Sequence, residues 1–299
     1  ENISLHFHDQ SDKELASIIY TSGTTGEPKG VMLSHKNLSS NAVSIIEYLK
    51  LTENDSVMAV LPFYYSYGNS LMLTHVAQGG RLVIDNRFMY PNVVLDSMVR
   101  EAVTGFAGVP STFAILLHRS NFRHVSIPSL RYITQAGGPM PHDMAFEIVS
   151  IVPQTKLFVM YGQTEASARL TYLPPDDLAR KRGSVGKGIT GVMLEIVKEN
   201  GEKAKPGEVG EVTAQGDNIM LGYWEKEEET GKVLRNSRLF TGDIGTVDEE
   251  GYLYLHGRRT DMIKSGAHRI APREIEEVVL KHPKIAEAAV VGEVDPILG

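Results

Sequence analysis

The sequence predicts an α/β protein with a mostly parallel, helix-covered sheet, followed by a small β-barrel subdomain and the start of an α+β segment. From residue 11 to about 172, apolar runs alternate with helix-like stretches, which is the order that builds a parallel sheet. After residue 180, short strand-like runs separated by turn signals dominate. From Gly257 a strand, a turn, a helix and a second strand follow. The expected divisions are 1–179, 180–257 and 258–299.

The elements of the first part follow from apolar runs and from residues that favour helix starts. The run 16–20 is typical of a buried strand, and Ser34 is a suitable N-cap for the helix after it. Pro91 suits the first turn of a later helix. The other predicted strands are 57–61, 81–84, 104–109, 130–134 and 156–161, and the other helices are 110–119 and 144–151. Because ligands of such sheets bind at the carboxyl ends of strands, the site is expected in the segments after Tyr20, Leu61, Thr134 and Met160.

The later parts are predicted from shorter patterns. The expected strands are 193–197, 210–214, 245–247 and 252–256, followed by a helix at 272–281 and a strand at 288–291. The segment from Gly186 to Gly191 fits G-x-G-x-x-G, but a dinucleotide fingerprint requires a strand before it and a helix after it. A strand-like stretch follows it here, so we reject the dinucleotide interpretation.

Composition places the chain among globular proteins and excludes several classes. The 299 residues are 42% hydrophobic and 22% charged, and no apolar run approaches the roughly 20 residues of a membrane span. A net charge of −7 argues against a general nucleic-acid partner. Because there is no cysteine, disulfides and thiolate sites are excluded. The lack of cysteine permits a reducing compartment, and the cytoplasm is the expected location. The ten histidines show no metal-ligand spacing.

Residues 20–30 form a stretch rich in small and hydroxylic side chains. Seven of these eleven residues are Gly, Ser or Thr, and Lys29 lies near the end. Glycines let backbone amides approach an anion closely, the hydroxyls add donors, and the lysine adds a cation. The stretch therefore suits a polyphosphate, although a flexible surface loop has the same composition. It is not the common nucleotide P-loop, because no Gly-Lys-Ser/Thr follows four spacer residues.

The order of residues in this stretch, TSGTTGEPKG, resembles the phosphate loop of the adenylate-forming (AMP-binding) enzyme superfamily. That superfamily includes acyl-CoA synthetases, firefly luciferase and nonribosomal adenylation domains. The resemblance implies that the stretch binds the β- and γ-phosphates of ATP. The residues that it assigns to this role are Thr21, Ser22, Gly23, Thr24, Thr25, Gly26 and Lys29.

Residues 161–165, YGQTE, directly follow a predicted buried strand. An aromatic ring, a glycine, a hydroxyl and a carboxylate suit one side of a nucleotide site, although a strand end with a capped turn has the same pattern. The segment resembles a second signature of the family, which implies that Tyr161 lies against adenine, Thr164 approaches the α-phosphate and Glu165 binds Mg²⁺. With Lys29, Thr164 and Glu165 form the implied catalytic group. The resemblance also places at the adenine Gly137, Gly138, Pro139 and Gly162.

A third signature is the TGD segment that ends at Asp243. An aspartate after a glycine in a turn can accept two hydroxyl hydrogen bonds, as a ribose diol requires, although an ordinary Asx-turn has the same sequence. The resemblance implies that Asp243 and Arg258 hold the ribose. The sequence from 258 is similar to the family's linker and the start of its α+β C-terminal lid. Thr260 aligns with the lid hinge, usually Asp or Lys, and Lys264 and Arg269 are implied lid contacts.

The aromatic segment 63–68 is the expected wall of an acyl pocket, with Tyr64, Tyr65 and Gly68 as its members. Plain core packing is the alternative for this segment. Amino-acid-activating members of the family carry an Asp near the position of Tyr65 that binds the substrate amine. Because Tyr65 cannot form that ion pair, a simple carboxylic acid is favoured as the substrate.

The resemblance covers about residues 16–292 and is strongest to an AMP-forming acyl-CoA synthetase. It implies ATP-dependent activation of a carboxylic acid to acyl-AMP with release of pyrophosphate, then transfer to a thiol. The implied cofactors are ATP, Mg²⁺ and coenzyme A. One alternative is a ligase that loads the phosphopantetheine of an acyl carrier protein. A nucleotide-binding module without catalysis and a structural α/β protein are alternatives outside this chemistry.

The family also has a long region before the phosphate loop and a lysine late in the lid, and neither is found in these residues. The chain therefore resembles a fragment that lacks the N-terminal region and most of the C-terminal lid. As given, it is expected to form acyl-AMP poorly or not at all.

Overall fold

The computed structural model describes residues 11–21, 27–265, 268–270, 272–279, 282, 285 and 288–293. The helices in this part of the chain are α1 (His35–Leu49), α2 (Ser66–Ala77), α3 (Pro91–Arg100), α4 (Pro110–Arg119), α5 (His142–Ile151), α6 (Glu227–Val233) and α7 (Pro272–Val279). The strands are β1 (Leu15–Thr21), β2 (Lys29–Ser34), β3 (Ser56–Ala59), β4 (Arg81–Ile84), β5 (Gly105–Gly108), β6 (Tyr132–Gln135), β7 (Lys156–Tyr161), β8 (Thr171–Leu173), β9 (Ser184–Gly188), β10 (Val192–Val197), β11 (Gly210–Gly216), β12 (Gly222–Tyr223), β13 (Leu234–Arg235), β14 (Arg238–Val247), β15 (Leu253–Arg258), β16 (Ile263–Ser265) and β17 (His268–Ile270).

One large sheet of twelve strands runs through the described residues. Its parallel half has the order β4-β3-β5-β6-β7. Its antiparallel half continues as β8-β9-β15-β14-β11-β10, with β13 paired to β14. The predicted fold class is confirmed. Because β8 and β9 join the two halves, the boundary expected near residue 180 falls inside one sheet, and the three divisions remain a prediction.

The expectation that residues 16–20 belong to the parallel sheet is wrong. β1 pairs antiparallel with β2, so that Tyr20 lies opposite Gly30, and β12 completes a separate three-stranded sheet. The physical reason is chain length, since a parallel pair needs a crossover of about a dozen residues or more, whereas β2 starts soon after β1. The Gly/Ser/Thr stretch therefore connects two strands of a hairpin. Its predicted phosphate-binding residues 22–26 lie outside the described residues.

Helices cover both faces of the parallel half. Phe113 of α4 and Ile148 of α5 are buried against one face, together with Ile133 of β6. Leu49 of α1 and Leu71 of α2 are buried against the other face, together with Tyr132 of β6. Neighbouring residues of β6 thus face opposite helical layers, as the twofold repeat of a strand requires. This alternation continues to the end of β6, where the candidate site begins.

The helix starts predicted at Ser34 and Pro91 are confirmed. The Ser34 hydroxyl accepts from the Asn37 amide at 3.1 Å, and the Asn37 side-chain oxygen accepts from the Ser34 amide at 2.8 Å. This reciprocal pair satisfies two amides that the first turn of a helix leaves without intrahelical partners. Pro91 occupies the first position of α3, where its missing N–H costs nothing.

Helix α2 is absent from the sequence prediction, which treats residues 63–68 as a loop. The helix begins at Ser66, and it buries polar residues as well as apolar ones. The Thr74 hydroxyl donates to the Ser70 carbonyl at 2.8 Å, and His75 Nε2 lies 2.7 Å from the Tyr132 hydroxyl. These internal partners let polar side chains occupy the core, and they remove the amphipathic pattern that predicts a helix.

The last described residues form a β16–β17 hairpin and helix α7, but the strand predicted at 288–291 is wrong, since these residues have no regular secondary structure. Among the described residues, none of the helices combines the length and apolar character required to cross a membrane.

Candidate active site

A cavity of about 980 Å³ lies where β6 and β7 end, between the large sheet and the segment after Gly257. Its wall contains all the residues that the sequence predicts for adenine, for ribose and for the hinge. These are Gly137, Gly138, Pro139, Tyr161, Gly162, Asp243, Arg258 and Thr260. Pro272 and Glu276 of α7 also line this cavity. Residues from four distant regions of the sequence therefore meet at one cavity.

Tyr161, Asp243 and Arg258 form a bonded group in this cavity. The Tyr161 hydroxyl donates to Asp243 Oδ2 at 2.6 Å, and Arg258 Nε lies 3.2 Å from Asp243 Oδ1. The register of β14 and β15 sets the second contact, because Asp243 and Arg258 are directly opposite each other. Burial raises the pKa of the Asp243 carboxyl and also raises the pKa of Tyr161, so Tyr161 stays a donor. A carboxylate has about four lone-pair positions, so Asp243 can accept further hydroxyl hydrogen bonds from a ligand.

The turn predicted at Asp243 is wrong, because this residue lies within β14. The backbone there is irregular, with a φ of +76° at Gly242 and a register shift between Ile244 and Gly245. This irregularity explains why a strand carries a turn-like sequence, and it is typical of strands that direct a side chain into a site.

Two glycines of the cavity wall are required by the backbone. Gly137 has a φ of +81°, which is unfavourable for residues with a side chain. A Cβ added at Gly162 would lie only 2.1 Å from the Ala168 carbonyl oxygen. Both positions therefore let the chain turn sharply at the ends of β6 and β7, and they leave backbone rather than side chains facing the cavity.

Thr164 and Glu165 lie in the 3₁₀ turn that follows β7, beside the cavity rather than in its wall. The Tyr223 hydroxyl donates to Glu165 Oε1 at 2.8 Å, and the Thr164 hydroxyl lies 3.2 Å from the Ser66 hydroxyl. Burial and the neighbouring Glu165 charge raise the pKa of Tyr223, so it remains a donor. Glu165 is thus held in position through one carboxylate oxygen.

Lys29 connects the β1–β2 hairpin to this turn. Its ammonium group lies 5.1 Å from the centre of the Tyr223 ring and forms a 2.7 Å ion pair with Glu229. Lys232 and Lys29 lower the pKa of the Glu229 carboxyl to about 2. The hydroxyl of Thr21, another predicted phosphate ligand, donates to the Lys29 carbonyl at 3.4 Å. The structure therefore brings Lys29 to the same side of the site as Glu165, with Tyr223 between them.

Tyr223 and Glu229 are site neighbours that sequence reasoning misses. Glu165 and Tyr223 are 58 positions apart, and Lys29 and Glu229 are 200 positions apart. Neither Tyr223 nor Glu229 belongs to a pattern with chemical meaning in the sequence. Only the pairing of β12 with β2 brings them near Lys29.

The predicted acyl-pocket residues do not line the cavity. Tyr64 and Tyr65 are 70% and 56% exposed, and their ring centres lie 4.5 Å apart. Gly68 lies in the first turn of α2, and a Cβ there would lie 2.1 Å from the Pro62 carbonyl oxygen. The structure therefore gives Gly68 a packing role, and it leaves the two tyrosine rings on the surface beside the Ser66–Thr164 contact.

The predicted hinge residue, Thr260, is exposed and donates to Asp261 Oδ1 at 2.9 Å. Lys264 and Arg269 are opposite each other in the β16–β17 hairpin. Their side chains lie outside the described residues, so their role as lid contacts stays a prediction.

A divalent metal fits this site only as an ion shared with a ligand. Among the described residues there is no group of three or more side chains with metal-ligand chemistry. Glu165 is a single carboxylate with one oxygen engaged by Tyr223. Mg²⁺ commonly uses one or two protein carboxylates together with substrate phosphates and water, so this donor set suits it.

Comparison with known sequences gives a consistent group of enzymes. The sequence model of the family described as AMP-binding enzyme matches residues 5–224. The chain is 36% identical over 279 residues to indoleacetate–CoA ligase of Aromatoleum aromaticum, covering 93% of the chain and 54% of that relative. It is 36% identical over 283 residues to 2-succinylbenzoate–CoA ligase of Bacillus cereus, covering 95% of the chain and 58% of that relative. The chain therefore spans somewhat more than half the length of these curated relatives.

Solved structures show the same architecture. The o-succinylbenzoate CoA synthetase (MenE) of Bacillus subtilis, in complex with the acyl-adenylate intermediate OSB-AMP, gives a TM-score of 0.89 at 36% identity over 97% of this chain and 58% of that chain. The same enzyme in complex with ATP and magnesium ion gives a TM-score of 0.89 at 36% identity, over 99% of this chain and 61% of that chain. ATP-bound MatB of Rhodopseudomonas palustris gives a TM-score of 0.88 at 31% identity, over 97% of this chain and 57% of that chain.

Proposed function

The chain belongs to the AMP-binding enzyme family, and on this premise we propose that it activates a carboxylic acid with ATP to give acyl-AMP and transfers the acyl group to coenzyme A. The observation that carries this proposal is the bonded group of Tyr161, Asp243 and Arg258, which shares a cavity with Gly137 and Gly162. A planar base and a ribose diol are the ligand parts that such a cavity suits.

In this proposal the cavity holds the nucleoside. Asp243 accepts hydrogen bonds from the ribose hydroxyls, and Arg258 keeps the carboxylate charged and oriented. Tyr161 supports Asp243 from the other oxygen and presents its ring to the base. Adenine lies against backbone rather than side chains, at Gly137, Gly138, Pro139 and Gly162. A side chain at Gly137 or Gly162 would distort the backbone, so these two positions stay open to a flat ligand.

The phosphates extend from this cavity towards Thr164, Glu165 and Lys29. The Thr164 hydroxyl donates to the α-phosphate, and residues 21–26 with Lys29 hold the β- and γ-phosphates. Lys29 forms a 2.7 Å ion pair with Glu229, so on binding ATP it would exchange this carboxylate for phosphate oxygens. Glu165 would hold Mg²⁺ here, and the ion would supply positive charge to compensate the phosphates.

Two bond exchanges complete the reaction. A carboxylate oxygen of the acid attacks the α-phosphorus in line, and the bond from this phosphorus to the pyrophosphate oxygen breaks. The sulfur of coenzyme A, after losing its proton, then attacks the acyl carbon, and AMP leaves. Position and charge compensation by Thr164 and Lys29 supply most of the catalysis in such transfers. The segment after Gly257, with Thr260 as its hinge, is proposed to move between the two steps.

The acid is proposed to lack an amino group, because Tyr65 offers no charge to bind one. The quoted relatives act, by their names, on indoleacetate and 2-succinylbenzoate, which are aromatic acids with an additional polar or cyclic group. An aromatic carboxylic acid is therefore the first substrate class to test. Coenzyme A is the proposed acceptor because both of these relatives are CoA ligases.

The test is acid-dependent exchange of labelled pyrophosphate into ATP, measured on the full-length protein with a panel of aromatic and aliphatic acids. Exchange with one class of acid, loss of exchange with EDTA, and a CoA thioester detected by mass spectrometry are expected. Binding of AMP without exchange for any acid would instead favour a nucleotide-binding module. If AMP also fails to raise the unfolding temperature, the proposal is wrong.

A further inference from the structure

The side-chain amide of Gln135, the last residue of β6, is completely buried but only half hydrogen-bonded. Its Nε2 donates to the Gly138 carbonyl oxygen at 2.8 Å. Its Oε1 has no partner within the described residues, although Gln135 lines the cavity. An unpartnered buried acceptor is costly and uncommon in folded proteins, so this atom points to a donor that a ligand supplies.

The orientation of this amide follows from its single partner. A backbone carbonyl can only accept, so Gln135 must present Nε2 to Gly138, and Oε1 faces away from it. Rotation of the amide by half a turn would place two acceptors against each other. Gln135 therefore offers the cavity a fixed acceptor that cannot adapt to a ligand acceptor.

The position of Gln135 places this acceptor on the base side of the site. The register of β6 and β7 sets Gln135 opposite Val159, two residues before Tyr161, and both line the cavity. The preceding residue, Thr134, faces the other side of the sheet, where its hydroxyl lies 2.9 Å from the Tyr67 hydroxyl. Val159 offers no polar group, so Gln135 is the amide that faces this end of the cavity.

A second unpartnered polar atom lies in the same cavity wall. His142 Nε2 has no hydrogen-bond partner in the described part of the chain. His142 starts α5, which packs on the same face of the sheet as Gln135. Two unpartnered atoms in one wall suit a ligand edge with both donors and acceptors, as a purine base has.

We propose that Gln135 Oε1 accepts a hydrogen bond from the exocyclic amino group of adenine and thereby selects 6-amino purines. The proposal rests on the proposed function, because it assumes that the cavity holds the base of ATP. A 6-oxo purine would place its own acceptor against Gln135, and a purine without a substituent would leave Oε1 unpartnered. Gln135 therefore favours a 6-amino purine over the other two, because its amide oxygen is held in the orientation that faces the base.

The test is isothermal titration calorimetry of the 299-residue chain with AMP, purine riboside 5′-monophosphate and IMP. The wild-type chain is expected to bind AMP about 10-fold more tightly than the riboside that lacks the amino group, and IMP more weakly still. Gln135→Met keeps the side-chain length and removes the acceptor. In this variant the affinities for AMP and the purine riboside monophosphate are expected to agree within about 2-fold.

Gln78→Met is the matched control. Gln78 Nε2 also donates to a backbone carbonyl, that of Leu51 at 2.8 Å, but Gln78 is not in the cavity wall. This variant is expected to keep the wild-type ratio of affinities, and thermal unfolding of both variants reports any shared loss of stability.

Three results separate the hypotheses. Equal affinity of the wild-type chain for AMP and the purine riboside monophosphate overturns the inference without any variant. A Gln135→Met chain that keeps the wild-type ratio, or a Gln78→Met chain that loses it, overturns it as well. A wild-type chain that binds none of the three nucleotides overturns the proposed function, and this inference with it.

Discussion

Asp243 is a buried acidic residue in the cavity wall, and its charge lowers the stability of the fold. The residue is 8% exposed, and its carboxylate is held by one hydroxyl and one guanidinium. Burial is the largest influence on its pKa and raises it above 3.8, although Tyr161 and Arg258 act in the opposite direction. The folded state therefore binds this proton more tightly than the unfolded state. Charging Asp243 consequently costs folding free energy as the pH rises from about 4 towards its folded pKa.

Asp243→Asn is therefore expected to separate binding from stability. At neutral pH the affinity for AMP should fall by about 10- to 100-fold, because the ribose loses hydrogen bonds to a charged acceptor. The free energy of unfolding, relative to wild type, should rise between pH 4 and pH 7, because the variant does not bury a charge. Calorimetric titration and urea unfolding at both pH values measure the two effects. A stability difference that is constant with pH would contradict the burial cost.

The residues that the sequence predicts for the cavity share a local cause. Gly137 is the second residue after β6, Tyr161 ends β7 and Gly162 directly follows it, and the carboxyl ends of parallel strands meet at one edge. Tyr223 and Glu229 could not be predicted, because a pairing of β12 with β2 brings them to Lys29 and no local pattern signals it. Gln135 could be placed from its strand, but its unpartnered oxygen follows only from three-dimensional contacts.

At the scale of elements, the end of β7 depends on the absence of a side chain. The Ala168 carbonyl oxygen lies where a Cβ of residue 162 would be, and Ser167 and Ala168 both have positive φ values. This folded-back loop positions Thr164 and Glu165 directly after the strand. Such strained backbone is typical of functional sites, where the surrounding structure holds it in place.

Gly162→Ala is expected to lower the free energy of unfolding by about 1–3 kcal/mol and to weaken AMP binding, because either the loop or the strand must move. Gly231→Ala is the matched control, since Gly231 lies in α6 with open space around its Cα. That substitution should raise stability by about 0.5–1 kcal/mol, because alanine favours a helix more than glycine does. Urea unfolding of both variants measures the difference. Similar effects of the two substitutions would contradict the close approach at Gly162.

The capping box of α1 is a second element that can be tested alone. Ser34→Ala removes the hydroxyl that accepts from Asn37, and it should destabilise the chain by about 1 kcal/mol. For a chain of 299 residues the melting temperature should fall by about 1–2 °C. Ser39→Ala, on the exposed side of the same helix, should change it little. Differential scanning calorimetry gives both values, and a larger loss in Ser39→Ala would show that the cap is not the cause.

Elements with clear local signals are predictable from the sequence, and those with tertiary causes are not. α1 and α3 start at the residues that favour helix starts, Ser34 and Pro91. α2 escapes prediction because its buried polar residues have internal partners, Thr74 within the helix itself and His75 at Tyr132 of β6. β1 is recognisable as a strand, but its own apolar residues do not reveal that it pairs antiparallel with β2.

At the scale of the molecule, one buried cluster joins the three-stranded sheet to the twelve-stranded sheet. Val31 of β2, Tyr161 of β7 and Val212 of β11 belong to it, so it contacts the hairpin, the parallel half and the antiparallel half together. The other members from these regions include Ile19, Leu33, Ile196, Tyr223, Leu239 and Leu253. If any one part unfolded, it would expose apolar surface of the other two to water. Each Å² so exposed costs about 25 cal/mol of folding free energy. The cluster therefore favours a single cooperative unit across the described sheets.

The single tryptophan, Trp224, makes this cooperativity measurable. Its amide donates to the Gly30 carbonyl at 2.8 Å beside the three-stranded sheet, so its fluorescence reports on the hairpin. Far-UV circular dichroism is dominated by the large sheet and its helices. The two signals are expected to give the same urea midpoint, and AMP at about 100 times its dissociation constant should stabilise both by about 2.7 kcal/mol. A fluorescence transition at lower urea that AMP does not shift would show that the hairpin unfolds independently, and Lys29 would then not be held at the site by the fold alone.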